Sequence, residues 1–322
     1  KIALGRIESG IAGGTDTASD APVAISEKLR RKLISVNAAK STSGRLKALG
    51  AIRPGDLGVE IPRNSEPRTG MSMGDHAALT AIEWQITREA QDELAAASHA
   101  NLAKSYESGW HDDLITPLRG LTRDENLRPD TSVERLAGLK PAFGKGSAAT
   151  MTAGNSTALT DGAAVVLMSS DAWAKAHGIK PLAYLVDHET SAVDFVHGGE
   201  GLLMAPAYAV PRMLARNGLS LQDFDYYEIH EAFASQVLST LKAWEDPVFC
   251  QHRLGLEQPL GAIDRSKLNV NGSSLAAGHP FAATGGRIIA NLAKLLATKG
   301  KGRGLISICA AGGQGVVAIL ER

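Results

Sequence analysis

The chain is poor in cysteine: only Cys250 and Cys309 occur in 322 residues. Two thiols cannot build a disulfide framework, so a reducing compartment is expected. Aromatic residues make up 5% of the sequence against 44% hydrophobic residues overall. The core must therefore be built from Ala, Val, Leu and Gly, as where helices lie close on a sheet. Charge of one sign is not in excess, with 34 Lys+Arg and 34 Asp+Glu. That balance excludes nucleic acid as the main partner, because phosphate binding needs surplus basic charge. No apolar run approaches the ~18 residues of a transmembrane helix. There is no Met at position 1 and no signal-peptide pattern. The opening Lys1–Thr15 reads as a helix end running into a strand, and upstream residues are expected to be missing.

The length suffices for two core-forming units. A short strand is expected over Ile7–Gly14. Lys28–Ala39 is basic and leads into a loop-rich stretch, with Pro54, Gly55, Gly58, Pro62, Pro67 and Gly70 leaving little room for regular structure over 50–70. The basic residues Lys40, Arg45, Lys47 and Arg53 read as a solvated loop rather than a partner or membrane contact. Helix is predicted over His76–Ser108, capped by Asp75, with a second helix taking over near Ser98 and ending at Gly109. Residues 110–150 are again loop-rich. Ala163–Met168 is a continuous apolar run, as in a strand covered on both faces. Beyond it strands and helices alternate: helix to Gly178, strand 182–186, helix 206–217, strand 224–229, helix 232–244, helix 285–298, and strands 305–309 and 316–321. This alternation indicates an α/β layered fold.

Two reactive side chains sit in glycine-dense segments of the last third. His279 lies in Gly278-His-Pro280, just before a long helix whose N-terminus would favour a neutral imidazole, the form needed for a base toward a thiol. The plainer reading is a buried structural His. Cys309 ends an apolar strand and enters Ala-Ala-Gly-Gly-Gln-Gly315, where free backbone N–H groups can hold an oxyanion; the plainer reading is an inert buried thiol. His230-Glu-Ala-Phe233 sits at a strand-to-helix transition, where α/β proteins bind ligands, and otherwise reads as an ordinary helix start with Glu231 in the first turn. Ala153–Ala164 is small and polar and either lines a channel or forms a capped turn. Gly313-x-Gly315 mimics a dinucleotide fingerprint but precedes a β-branched run, not a helix. Cys250-x-His252 supplies too few ligands for a metal, and no metal site is expected.

Four blocks occur in order: Ala153-Gly-Asn-Ser-Thr with Asp161-Gly-Ala-Ala, His230-Glu-Ala-Phe, Asn269 to Gly278-His-Pro and Gly285, and Cys309-Ala-Ala-Gly-Gly-Gln-Gly. Together they resemble the thiolase family, the CoA-dependent acyltransferases of fatty-acid β-oxidation, across nearly the whole chain. His230 in place of the more common Asn, with Ser72-Met-Gly-Asp-His76, resembles the β-subunit branch of the trifunctional enzymes. The resemblance implies an α/β fold of two βαβαβαββ halves in five α-β-α-β-α layers, the first half truncated. Residues 1–19 and 146–177 would be the remainder of that half, 20–145 an inserted loop domain, and 178–322 the second half.

The resemblance further implies that a nucleophilic Cys attacks the 3-oxo carbon of a 3-oxoacyl-CoA, that His279 takes its proton, and that Cys309 protonates the departing acetyl-CoA enolate. His230 and His279 would hold the thioester oxygen, and the backbone N–H near Ala311 would serve a second oxyanion. Met73, Thr157 and Phe233 would line the pantetheine tunnel, Thr157 standing where the family usually has Ser. The family's nucleophile lies upstream of the segment matching Ala3–Gly14, and neither Cys250 nor Cys309 takes its place. The implied partners are CoA and acyl-CoA as substrates with no permanent cofactor, a homodimer or homotetramer, and a hydratase/dehydrogenase α-subunit. The location would be the cytoplasm, or the mitochondrial matrix in a eukaryote. The competing reading is a thiolase-like CoA or acyl binder, or scaffold subunit, without turnover. A ketoacyl synthase fits less well, because such sites usually carry His at the position of Cys309.

Overall fold

The computed structural model describes residues 1–60, 62 and 64–322. They form two units, Thr17–Asn64 and the remainder. Strand β1 (Ser9–Asp16) belongs to the larger unit. The chain then builds the smaller one from β2 (Ala24–Ile25), α1 (Glu27–Ala38), α2 (Thr42–Gly50) and β3 (Val59–Glu60), with β2 and β3 antiparallel. Helix α2 falls in the stretch expected to be loop. Ser41 nucleates it by accepting the Gly44 N–H at 3.1 Å, a cap that the surrounding Gly and Pro residues obscure in the sequence. Neither helix buries a residue. The unit is held instead by polar ties, among them Ser26 Oγ donating to Asp56 O at 2.6 Å and the Lys32–Asp56 ion pair.

In the larger unit the helical stretch 76–108 does divide in two, but the break falls before Arg88 rather than near Ser98: α3 is Met73–Glu83 and α4 is Arg88–Glu107. Gln85 takes a left-handed φ of 50°. Thr87 then accepts the Ala90 N–H on its hydroxyl at 3.2 Å, so a side-chain cap competes successfully with helix continuation. The N-cap of α3 is Ser72 rather than Asp75: its Oγ accepts the Asp75 N–H at 3.0 Å. Next come α5 (Val133–Ala137) and the short antiparallel pair β4 (Pro141–Phe143) and β5 (Met151–Thr152). Strand β6 (Gly162–Ser169) and α6 (Asp171–Ala176) follow. β6 pairs antiparallel with β1 along its length, from Ser9↔Ser169 to Asp16↔Gly162. Its apolar run suggested cover on both faces; among the described residues it has one strand neighbour and one packed side, and its alternate residues are exposed, Val165 by 68%.

Residues 184–321 form a three-layer αβα sandwich. Its elements are β7 (Tyr184–Ala192), α7 (Ala205–Asn217), β8 (Tyr226–Ile229), α8 (Ala234–Glu245), α9 (Pro247–His252), α10 (Ser274–Ala277), α11 (Thr284–Lys299), β9 (Arg303–Ala310) and β10 (Gln314–Glu321). The sheet order is β7-β10-β9-β8, with β8 and β9 parallel and the other pairs antiparallel. Side chains alternate across β9 and β10. Leu305, Val317 and Ile319 meet α7 and α8 through Met213, Leu214, Val237 and Leu241. Ile306 and Leu320 meet α11 through Ile288, Leu292 and Leu296. Where the βαβαβαββ pattern places a third strand, Leu268 makes a single parallel bridge to Tyr227, and the Asn269 N–H donates to Tyr227 O. Cys250, read as lying in a polar loop, is fully buried in α9, its Sγ against the carbonyls of Ala243 and Trp244. Asp246 caps that short helix and turns it back onto α8.

Candidate active site

The site gathers at the carboxyl ends of β8 and β9. The His230 N–H donates to Ser307 O at 2.9 Å, which extends the parallel pairing by one residue. Cys309 lies two residues further along β9. The chain after β8 stays out of helix through Phe233, and α8 starts only at Ala234. Residues 155–157 run beside it: Ala234 N–H donates to Asn155 O at 3.0 Å and Thr157 N–H to Ala232 O at 3.1 Å. The same segment continues past His279, whose N–H donates to Ala158 O at 2.9 Å. One short stretch thus clasps both histidine motifs. Gly278 has φ 95°, and a Cβ there would lie 2.5 Å from the Thr160 side chain, so this close approach requires glycine.

Because α8 begins only at Ala234, Glu231 is not a first-turn helix residue. It is fully buried and accepts three hydrogen bonds: from Ser98 Oγ at 2.7 Å, Asn269 Nδ2 at 2.7 Å and the Leu275 N–H at 3.1 Å. Burial pushes its carboxyl pKa up against these donors. Asn269, at a left-handed φ of 45°, also bonds both backbone groups of Ile229, each at 2.9 Å. Its amide does the work of the missing strand neighbour and joins β8 to the His279 motif.

The imidazoles of His230 and His279 face each other with ring centroids 4.4 Å apart and planes inclined at 50°. Burial, followed by the nearby charges of His279 and Arg287, pushes the His230 pKa well below its ordinary value. Burial first and Arg287 second bring His279 down to about 4, with Asp16 opposing. Burial rather than the following helix is the main cause. Both rings are neutral at pH 7 and can accept a proton or donate an N–H to a developing oxyanion. His230 Nδ1 lies 2.7 Å from Ser274 Oγ, while its buried Nε2 has no hydrogen-bond partner among the described residues. His279 Nδ1 lies 2.7 Å from Thr284 Oγ1.

Cys309 is buried with Phe233, Leu238 and Met151, and Met73 and Phe143 pack against the same cluster. Burial raises its thiol pKa to about 12, so it is a proton-bearing thiol at neutral pH. Phe233 also meets Phe143 edge-on at 5.8 Å. Thr157 donates its hydroxyl to Ser274 O at 2.6 Å, tying the clasping segment to α10. Ala311 is exposed in the β9–β10 turn, which Gly312 and Gly313 make with φ 76° each. Ser274, Arg287 and Thr284 have no role in the sequence reading, and Asn269 enters it only as the start of a block. Their side chains act through hydrogen bonds that only the folded chain brings together, so spacing alone carried no signal for them.

Two family models match the chain: the thiolase N-terminal domain over residues 1–172 and the thiolase C-terminal domain over residues 179–322. The chain belongs to the thiolase family and has the thiolase fold. Among curated relatives, the 3-ketoacyl-CoA thiolase of Pectobacterium carotovorum subsp. carotovorum (strain PC1) is 44% identical over 326 residues, covering 99% of this chain and 74% of the relative. That of Yersinia pestis (strain Pestoides F) is 43% identical with the same coverage. The crystal structure of the Bacillus anthracis acetyl-CoA acetyltransferase superposes with a TM-score of 0.76 at 33% identity, covering 99% of this chain and 73% of that one. Human mitochondrial 3-ketoacyl-CoA thiolase in complex with CoA superposes at 0.77 with 28% identity, covering 99% and 72%. No helix among the described residues is long and apolar enough to cross a membrane.

Proposed function

We propose that these residues form the acid–base half of a 3-oxoacyl-CoA thiolase site, an acyltransferase that uses CoA as a substrate. The observation that carries this reading is the neutral His230–His279 pair, 4.4 Å apart, with an unpartnered buried His230 Nε2. A nucleophilic thiol attacks the 3-oxo carbon and His279 takes its proton. The C2–C3 bond breaks, and its electron pair passes to the acetyl-CoA enolate. His230 and His279 hold the enolate's thioester oxygen. Cys309 gives its proton to C2, releasing acetyl-CoA, and takes one back from the incoming CoA thiol; as that thiol collects the acyl group, the departing nucleophile recovers its proton from His279. The backbone N–H near Ala311 serves the tetrahedral oxyanion at the former 3-oxo carbon. Met73, Thr157 and Phe233 line the pantetheine path.

The nucleophile is neither Cys309, which is assigned to proton transfer, nor Cys250, which is buried in α9 with its thiol pKa pushed up. The covalent route therefore needs a thiol beyond those of these 322 residues. His230 in the His-Glu-Ala-Phe block and the Ser72–His76 block support the trifunctional β-subunit branch, with an α-subunit partner, a homodimeric or homotetrameric core, residues 20–145 as an inserted loop domain, and a cytoplasmic or mitochondrial-matrix location. The presence of one thiol at the site favours a second reading, a thiolase-like CoA or acyl binder without turnover. A thiolysis assay with acetoacetyl-CoA and a long-chain 3-oxoacyl-CoA separates the two. CoA-dependent cleavage that is lost in Cys309→Ala supports the thiolase; CoA binding without cleavage supports the binder.

A further inference from the structure

We infer that Ser274 and Arg287 are positioning residues that fix His230 as the Nε2–H tautomer and aim that N–H at the substrate oxygen. The inference rests on the thiolase reading of the site. Arg287 donates from Nη2 to Ser274 Oγ at 2.7 Å, and holds Gly278 O through Nη1 at 3.0 Å. A guanidinium nitrogen can only donate, so Ser274 Oγ is an acceptor in that contact. The hydroxyl proton of Ser274 then has one described polar neighbour left, His230 Nδ1 at 2.7 Å. Nδ1 accepts it, and in a neutral imidazole the proton must then reside on Nε2.

Nε2 is the buried atom that has no partner among the described residues. A buried donor of this kind costs stability. A ligand oxygen held beside His279 would satisfy it. The direction of the relay matters. Were His230 protonated on Nδ1, that N–H would face a Ser274 oxygen whose own proton had no acceptor, and Nε2 would offer a lone pair to an oxygen that is already negative. Ser274 itself is fully buried on α10, and Thr157 secures its carbonyl at 2.6 Å. Its hydroxyl is therefore held by backbone as well as by Arg287.

Nitrogen-15 NMR of the histidine-labelled full polypeptide, with His230 assigned by its loss in His230→Asn, reads the tautomer without any need for turnover. The expected result is a protonated Nε2 and a bare, hydrogen-bonded Nδ1, with the Nδ1 signal moving toward an unbonded nitrogen in Ser274→Ala. A proton on Nδ1 in the native protein overturns the inference. In thiolysis assays Ser274→Ala should lower kcat by roughly 10- to 100-fold with little change in KM, the size of effect that a misplaced catalytic group produces, and Ser274→Thr should restore most of it. A native kcat in folded Ser274→Ala overturns the inference equally. Should Ser274→Ala fail to fold, Arg287→Met, which removes the donor to Ser274 Oγ, replaces it with the same two readouts. A native protein that shows the expected tautomer but no turnover supports the relay and counts against the thiolase reading alone.

Discussion

Asn269→Ala tests whether a single amide replaces a strand in this fold. The side chain bonds the Ile229 N–H, the Ile229 carbonyl and Glu231 Oε1 at 2.9, 2.9 and 2.7 Å. All three partners are buried: Ile229 is 4% exposed and Glu231 not at all. Leaving a buried polar group unsatisfied costs about 1–3 kcal/mol, and the three losses are not fully additive because they share one site. About 3–6 kcal/mol is expected from the hydrogen bonds. Ala at a φ of 45° adds about 1 kcal/mol of backbone strain. The sum is a large part of the ~5–15 kcal/mol that holds a typical domain. Urea denaturation at pH 7 should show this loss, and Asn269→Gly, which tolerates the left-handed backbone, should recover about 1 kcal/mol of it. Asn269→Asp keeps the acceptor for Ile229 but sets a second carboxylate against Glu231. That pair would retain a proton in the folded state that the unfolded chain releases, so the variant should lose further stability as pH rises above the ordinary carboxylate range. If Ala and Gly variants both unfold within about 1 kcal/mol of the native protein, the strand-replacement argument is wrong.

The buried thiol of Cys309, with its pKa near 12, should resist iodoacetamide at pH 7.5 in the folded protein and react once unfolded; rapid native alkylation, located by peptide mass mapping, would sink its assignment as a proton-bearing acid. His279, with a folded pKa of about 4, is lowered below its unfolded value near 6.5, so its contribution to stability is complete above about pH 6.5 and fades as pH falls toward 4. His279→Asn should flatten that part of a melting-temperature profile, and an unchanged profile would show that the ring does not titrate as described. Glu228, fully buried with one hydrogen bond from Asn291 at 2.7 Å, has its pKa raised by burial to about 8. Its neutral form is favoured in the folded state, so stability should fall by up to about 1.4 kcal/mol per pH unit from the unfolded pKa up to about 8. Glu228→Gln should remove that slope and be the more stable protein at pH 8; a variant less stable than native at that pH would refute it.

What the sequence made legible followed the kind of signal each feature leaves. The alternation of apolar strands and helices after residue 180 was readable because one hydrophobic face per element is written in local spacing. The ribbon strand β6 misled for the same reason: the Ala163–Met168 run records what the strand is able to bury, not what covers it, and its alternate residues lie exposed. The break between α3 and α4 was hidden because Thr87 caps through a hydroxyl common in helices, while Ser72, three residues before Asp75, is the stronger cap that the eye passes over. At the site, His279 and Cys309 stood out through glycine-rich settings that exist to let backbone approach, and His230 through its place where a strand ends. Ser274 and Arg287 did not, because their meaning lies in direction. The guanidinium can only donate, the hydroxyl must therefore turn its proton to His230, and the far nitrogen of that ring is left holding a proton with nothing described to receive it. A motif names which atoms are present; the order in which donors and acceptors are used up decides which of them is left for a substrate.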